Sequence, residues 1–158
     1  MKEHKYFSKI EWTGNIGLGT SNYKDYERSH NIIIENKPLI QGSSDQAFRG
    51  DKTKHNPEDL FVSALSSCHM LWYLHLCAVN NIVVEEYVDT VEGIMSEGKD
   101  GKGSFKEVTL NPIVTVESQE MVELAIQLHK KAAEFCFIAN SVNFPVKHRP
   151  KVNVKTRE

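Results

Sequence analysis

Cysteine is scarce in this chain: three in 158 residues, at positions 68, 77 and 136. They are too few and too unevenly spread for the disulfide framework of a secreted protein. An excess of charge of either sign is also missing. The formal net charge is only -2, which removes the electrostatic case for nucleic acid or anionic lipid as a partner. Met1 to Gly14 lacks the apolar core of a signal peptide, and no repeat, domain linker or low-complexity tract breaks the chain. The expectation is a cytoplasmic protein with free thiols, in which a disulfide that forms is catalytic or redox-sensing rather than structural. Hydrophobic residues at 40% and charged residues at 25% are ordinary globular values, and the length suits one domain with a core of its own.

What is present is an apolar run, NPEDLFVSALSSCHMLWYLHLCA from Asn56 to Ala78, with Cys68 in its middle. Asn56 suits an N-cap and Pro57 the first helical position, while Glu58 and Asp59 complement the positive helix end. Leu60, Phe61, Ala64, Leu65, Cys68, Leu71, Trp72 and Leu76 follow the spacing of a buried stripe. Met70, Leu74 and Cys77 make the second half apolar on its other faces, so the helix is expected to be buried all round, within a domain or a subunit interface. Leu60 to Val79 has about the length of a bilayer span. Ser63, Ser66, Ser67, His69 and His75 dilute it and no basic cluster flanks it, so no membrane is expected.

Before this helix, alternation over Tyr6 to Trp12 predicts a strand with one face better covered, and GNIGLG within Thr13 to Gly19 predicts a glycine-rich hairpin rather than a phosphate cradle. Thr20 to Tyr26 is expected to return as a second strand, Ser29 to Glu35 to form a third, and Pro38 to Gln41 a short fourth after a turn at Glu35-Asn36-Lys37. Gly42 to His55 reads as a loop long enough to build a site. After the helix, Ile82 to Glu97 and Ser104 to Glu117 predict two long strands joined at Gly98 to Gly103, with Pro112 implying an edge or a bulge. Ser118 can cap a second helix with a stripe of Met121, Leu124, Ala125, Leu128, Ala132 and Phe135, and Cys136 at its end. FIANSVNFPV, from Phe137 to Val146, reads as turn and extended chain, and Lys151 to Lys155 as a last strand. The order is that of an α+β fold, with helices on antiparallel sheet.

A reactive cysteine needs a nearby cation or hydrogen-bond donors to form its thiolate. Cys68 sits mid-helix, so the candidates for the cation are Arg28, Arg49 or a histidine. His69 reads as a satisfied buried histidine, because adjacent helical side chains do not face each other. Glu58 can orient an arginine, but ten residues of helix separate it from Cys68, roughly 15 Å of rise. Either the helix breaks, or a symmetric dimer brings Glu58 of one subunit to Cys68 of the other. From pattern alone, Cys68, Cys77 and Cys136 are each commonly packing residues. A zinc site from Cys68, His69, His75 and Cys77 fails on helical direction, and no motif of a Cys-His hydrolase is present.

These residues resemble the OsmC/Ohr family of osmotically induced and organic hydroperoxide resistance proteins. The resemblance rests on Asn56-Pro57-Glu58 followed by the apolar run to Cys68, on Cys136 late in a second helix, and on the β-rich start. SSCHMLWYLHLCA and CFIANSVNFPV look most like an uncharacterised branch. The resemblance covers the chain as a single OsmC-like domain over residues 1–158 and implies an intertwined homodimer with sites at the interface. It implies a thiol peroxidase for organic hydroperoxides, with Cys68 the peroxidatic thiolate, Cys136 its disulfide partner and Glu58 the holder of an arginine. The implied reductant is a dithiol, often protein-bound dihydrolipoyl, with no metal or tightly bound cofactor. The arginine departs from the family pattern: Thr13 to Thr20 has no basic residue, and Ala47 stands at the other family position, two residues from Arg49. Arg28, expected on a neighbouring strand that would hold its geometry, is favoured over Arg49. The rival expectation is a dimeric stress or small-ligand-binding protein whose cysteines only pack.

Overall fold

The computed structural model describes residues Met1–Thr156. Its first strands come from the β-rich start: β1 (Lys9–Trp12), β2 (His30–Ile33) and β3 (Ile40–Gly42) form an antiparallel sheet in that order, with Trp12 opposite His30 and Ile32 opposite Ile40. These strands belong to a compact unit, Met1–Phe61, that ends in the first turn of a helix; a second unit runs from Val62 onward.

In the first unit β1 is shorter than predicted and all four of its residues are exposed, so the expected covered face is absent. Thr20 to Tyr26 is not a strand. It is a series of turns, with Ser21 N–H on the Leu18 carbonyl and Asp25 N–H on that of Asn22, because Asn15, Gly17 and Gly19 bend the chain instead of reversing it once. The pair to β1 is therefore β2, across a long loop that Glu27 N–H to the Gly14 carbonyl (2.9 Å) and Trp12 Nε1–H to the Glu27 carbonyl (2.8 Å) tie at its base. Gly14 is required there, since a Cβ would lie 1.9 Å from that Glu27 oxygen. The loop after β3 holds one turn of 3-10 helix at Gln46–Phe48, begun by the Asp45 carboxylate accepting from Ala47 N–H (2.7 Å).

Helix α1 (Pro57–Val79) starts where Asn56 and Pro57 predict. Asn56 Oδ1 accepts from Asp59 N–H (2.7 Å) and the Asp59 carboxylate accepts from Asn56 N–H (3.3 Å), a reciprocal cap that satisfies free donors at the helix start. The helix is not buried all round. Leu65, His69, Tyr73, Leu76 and Cys77 are its buried line, Cys68 and Trp72 are half-buried, and Leu71 stays 63% exposed. The buried stripe thus lies one position round from the predicted one, since His69 and Tyr73 carry ring surface that the core accepts. By length and composition α1 is apolar enough to cross a membrane.

In the second unit the two long predicted strands are each broken. β4 (Val84–Asp89) and β5 (Glu92–Glu97) are followed by β6 (Gly103–Leu110) and β7 (Pro112–Val116). β5 and β6 make the predicted hairpin, but β4 and β7 enter another sheet. Asp89 Oδ1 accepts from Asn111 N–H (2.7 Å), and the Asn111 side chain donates to the Thr90 carbonyl (2.9 Å), which pins both legs at the break. Pro112 opens β7, the central strand of its sheet, rather than sitting on an edge or a bulge; a first residue need not donate to the ladder.

Ser118 makes no side-chain cap; a 3-10 turn at Gln119–Met121 leads into α2 (Val122–Phe135). Leu124 and Phe135 are partly exposed, and His129 joins Ala125, Leu128 and Ala132 on the buried stripe. The last two strands are β8 (Val146–His148), which begins at the last residue of the segment expected as turn and extended chain and was not foreseen, and β9 (Lys151–Val154). β8 pairs parallel with β6, and β9 parallel with β7. The sheets β4-β7-β9 and β5-β6-β8 are therefore mixed, not antiparallel, since these returning strands come back through α2 rather than a hairpin. The core gathers Tyr73, Leu76, Cys77 and Ile82 with Val114, Val116, Ala125, Leu128 and Ala132.

Candidate active site

Two thiols come near each other in the second unit. Cys68 is half-buried on α1, and Cys136 is buried at the C-terminal end of α2. Neither is in a disulfide, and Cys68 lies near enough to act on the Cys136 thiol. Burial raises the Cys136 thiol above its ordinary pKa, and the neighbouring Cys68 raises it further, because proton loss would place a buried negative charge near the second sulfur. The backbone amides of Ala139 and Ile138 oppose this, and Ala139 N–H reaches Cys136 Sγ at 3.4 Å. Two neighbouring thiols can become one disulfide by losing two electrons, and the more accessible one, Cys68, meets an oxidant first.

Cys77 is buried on another side of α1 beside the Tyr73 hydroxyl; burial raises its thiol and the hydroxyl works the other way. His75 is exposed, with its ring edge-on to Trp72 at 5.8 Å between centroids. Among the described residues, no group of three or more His, Cys, Asp or Glu side chains is placed to hold a metal ion.

Sequence reasoning missed a buried histidine cluster. His69 Nε2 lies 3.1 Å from His129 Nδ1, and the His148 ring is 4.5 Å from that of His69. Tyr73 stacks on His129 at 3.8 Å. His69 Nδ1 and His129 Nε2 are buried without a hydrogen-bond partner, so His69 is buried as expected but only half satisfied. Desolvation pushes His69 down to about 3 and His129 to about 4, with the neighbouring rings adding to the effect. Burial lowers His148 too, against the nearby Asp89. Asp89 Oδ2 accepts from Ser66 Oγ at 2.5 Å. A signal existed for His129, which lies at helical spacing between Ala125 and Ala132, but His148 has none, since β8 itself was not foreseen.

The remaining predicted residues lie in the first unit. Arg28 precedes β2 and is not on a strand, because the turns of 20–26 replace the second strand that would have set its register. It is nevertheless held: its guanidinium lies over the Tyr23 and Tyr26 rings at 4.4 and 4.1 Å, and donates to the Tyr23 carbonyl (2.6 Å) and to the Tyr26 carbonyl. Arg28, Lys24 and Arg49 line one cavity of about 420 Å³. Arg28 also borders a more apolar one of about 370 Å³, lined by Trp12, Tyr26, His30 and Pro57 among others. Glu58 is half-buried in the first turn of α1, and among the described residues it forms no ion pair with an arginine. Helix α1 runs without a break from Glu58 to Cys68, so the route through an interrupted helix is closed.

The second unit also presents an uncovered aromatic face. Trp72 stacks on Phe135 at 5.1 Å and meets Phe137 edge-on at 5.6 Å. Phe137 is 67% exposed, and Leu71, one residue before Trp72 on α1, is exposed as well.

Residues 50–151 match the family model described as OsmC-like protein. The chain is 26% identical over 160 residues to the uncharacterized protein YmaD of Bacillus subtilis (strain 168), covering 98% of this chain and 97% of that one. Among solved structures, an OsmC-like protein of unknown function from Vibrio cholerae is similar at a TM-score of 0.85 and 29% identity, over 94% of this chain and 100% of the other. An organic hydroperoxide resistance protein from Elizabethkingia anophelis shares the fold at a TM-score of 0.67 and 18% identity, over 98% and 100% of the two chains.

Proposed function

The chain belongs to the OsmC-like protein family, and from that premise we propose that it is a cytoplasmic thiol peroxidase reducing organic hydroperoxides. The observation that carries this reading is the nearness of the half-buried Cys68 to the buried Cys136, neither of them in a disulfide.

In the proposed cycle the Cys68 thiolate attacks one peroxide oxygen, the O–O bond breaks, and the alcohol leaves with a proton. Cys68 is then a sulfenic acid. The Cys136 sulfur attacks the Cys68 sulfur, forming the S–S bond as the S–O bond breaks and water leaves. A dithiol, such as a protein-bound dihydrolipoyl group, restores both thiols by exchange. The functional unit is a homodimer, in which Glu58 and Arg28 of one subunit reach Cys68 of the other and favour its thiolate. Support for the dimer comes from the aromatic face around Trp72 and Phe137, which water leaves uncovered at a cost. The reaction requires no metal or bound cofactor.

The test is intact mass with disulfide mapping before and after one equivalent of cumene hydroperoxide, on the reduced protein and on Cys136→Ser. Expected are a Cys68–Cys136 bridge in the first and a trapped Cys68 sulfenic acid in the second. Thiols that stay reduced over minutes in both would refute the peroxidase and leave a ligand-binding dimer as the better reading.

A further inference from the structure

Three cations share one cavity in the first unit, and the proposed peroxidase cycle uses only one of them. Lys24, Arg28 and Arg49 line the cavity of about 420 Å³, and among the described residues none of the three is in an ion pair. Two carboxylates line it as well, but both have donors of their own. Asp51 Oδ1 accepts from Thr53 N–H (2.9 Å) and Thr53 Oγ1 (2.7 Å), and Lys54 Nζ lies 3.6 Å from its other oxygen. Glu27 Oε2 accepts from Ser29 Oγ (3.4 Å), whose oxygen in turn accepts from Lys54 Nζ (2.8 Å). Lys54 thus serves the carboxylate side, and the cavity keeps an excess of positive charge.

Arg49 stands there at a conformational cost. It ends the 3-10 turn of Gln46–Phe48 with a φ of 66°, its N–H on the Gln46 carbonyl (3.1 Å) and Gly50 N–H on that of Asp45 (3.0 Å). This left-handed region suits glycine and tolerates asparagine, and the other non-glycine residues that adopt it among those described are Asn36 and Asn81. The turn itself needs no guanidinium. It is closed by those backbone bonds, by the Asp45 carboxylate on Ala47 N–H and by Ser44 Oγ donating to the Phe48 carbonyl (3.1 Å). A strained arginine whose charge no carboxylate answers, on the wall of a cavity, points to a ligand.

The rest of the wall defines the class of that ligand. Ser43 is buried, and its hydroxyl accepts from Asp51 N–H (3.0 Å), which leaves its proton to donate into the cavity. Arg28 is already fixed by the Tyr23 and Tyr26 carbonyls, so little freedom is lost when it binds. Guanidinium forks match the paired oxygens of phosphate, and two of them with a lysine answer two negative charges where a carboxylate carries one. Ile16 and Tyr26 add apolar surface, and the volume is that of a small-molecule site. We propose that this cavity binds a small organic phosphomonoester, with its phosphate on Lys24, Arg28, Arg49 and the Ser43 hydroxyl and its organic part against Ile16 and Tyr26. The site needs no chemistry at Cys68, so failure of the peroxidase reading leaves it standing.

The probe is phenyl phosphate, titrated into the full-length protein by calorimetry at about pH 7.5 and about 0.1 M salt, with amide shifts followed by NMR. Binding is expected, with the largest shifts at Ser29, Ser43 and Gly50, and with inorganic phosphate and benzoate each at least about tenfold weaker. Absence of binding at millimolar probe, shifts centred elsewhere, or equal affinity for either control overturns the proposal. Arg49→Gly separates ligand from fold. It is expected to weaken phenyl phosphate about tenfold or more, through loss of charge-assisted bonds, without lowering the urea unfolding midpoint, since glycine relieves the left-handed strain. Undiminished affinity overturns the proposal, and so does a lower midpoint, which would assign Arg49 to the fold. Lys24→Ala, at an exposed position, tests the same site away from the turn. It is expected to weaken binding about threefold, and unchanged affinity overturns the assignment.

Discussion

Lowering the pH from 7 to 5 is expected to destabilise the second unit by about 4 kcal/mol through two histidines. His69 and His129 are buried in contact, and desolvation lowers them to about 3 and about 4 from the 6.5 of a free imidazole. A group whose folded pKa is depressed prefers to be neutral in the folded state. Its stabilising contribution is therefore complete above 6.5 and is lost as the pH falls toward the folded values. At pH 5 the unfolded chain carries a proton on nearly every copy of each residue, and the folded chain on few. The difference is about 1.4 kcal/mol per pH unit for each histidine, or about 2 kcal/mol each over the range. Because both folded values lie well below 5, the result depends little on either. His148 is lowered in the same direction and adds to the loss. Urea unfolding followed by far-UV circular dichroism at pH 7, 6 and 5 measures it, and His129→Gln should show about half the pH slope. Equal stability at pH 7 and 5 would show that the cluster is open to protons when folded, and would refute the reasoning.

Leu110→Ala empties a fully buried site in β6 and is expected to cost about 3 kcal/mol by urea unfolding. Asn56→Ala removes the side-chain oxygen that accepts from Asp59 N–H at the start of α1, with an expected loss of about 1 kcal/mol; hydrogen exchange at Leu60 and Phe61 should rise with it. Arg28→Ala is expected to slow loss of the Cys68 thiol to cumene hydroperoxide by about tenfold or more, with Arg49→Ala near wild type; the reverse order would transfer the role to Arg49. If the proposed dimer forms through this face, Leu71→Glu, a change at an exposed position, should lower the sedimenting mass from that of two chains to that of one.

The legibility of the chain follows how local each cause is. Asn56, Pro57 and the acidic first turn announce α1, and Gly98 to Gly103 announces the β5–β6 hairpin, because caps and turns are satisfied by residues a few positions apart. The turns of 20–26 were misread because a polar segment with Tyr23 and Tyr26 has strand composition, while those rings are in fact spent on Arg28. The breaks at Thr90 and Asn111 were missed because the alternation continues through them; what divides the strands is the bonding of Asp89 to a residue 22 positions away.

Composition, caps and turn chemistry were enough for the α+β class, the two helices and the position of Cys68 on the longer one. They act within one or two turns of chain, so a linear reading reaches them. The parallel pairing of β8 and β9, the meeting of His69 with His129, and the nearness of Cys136 to Cys68 were settled by packing. Each joins residues tens of positions apart, and their separation in space depends on the register of sheets and the seating of α2, which no local rule encodes.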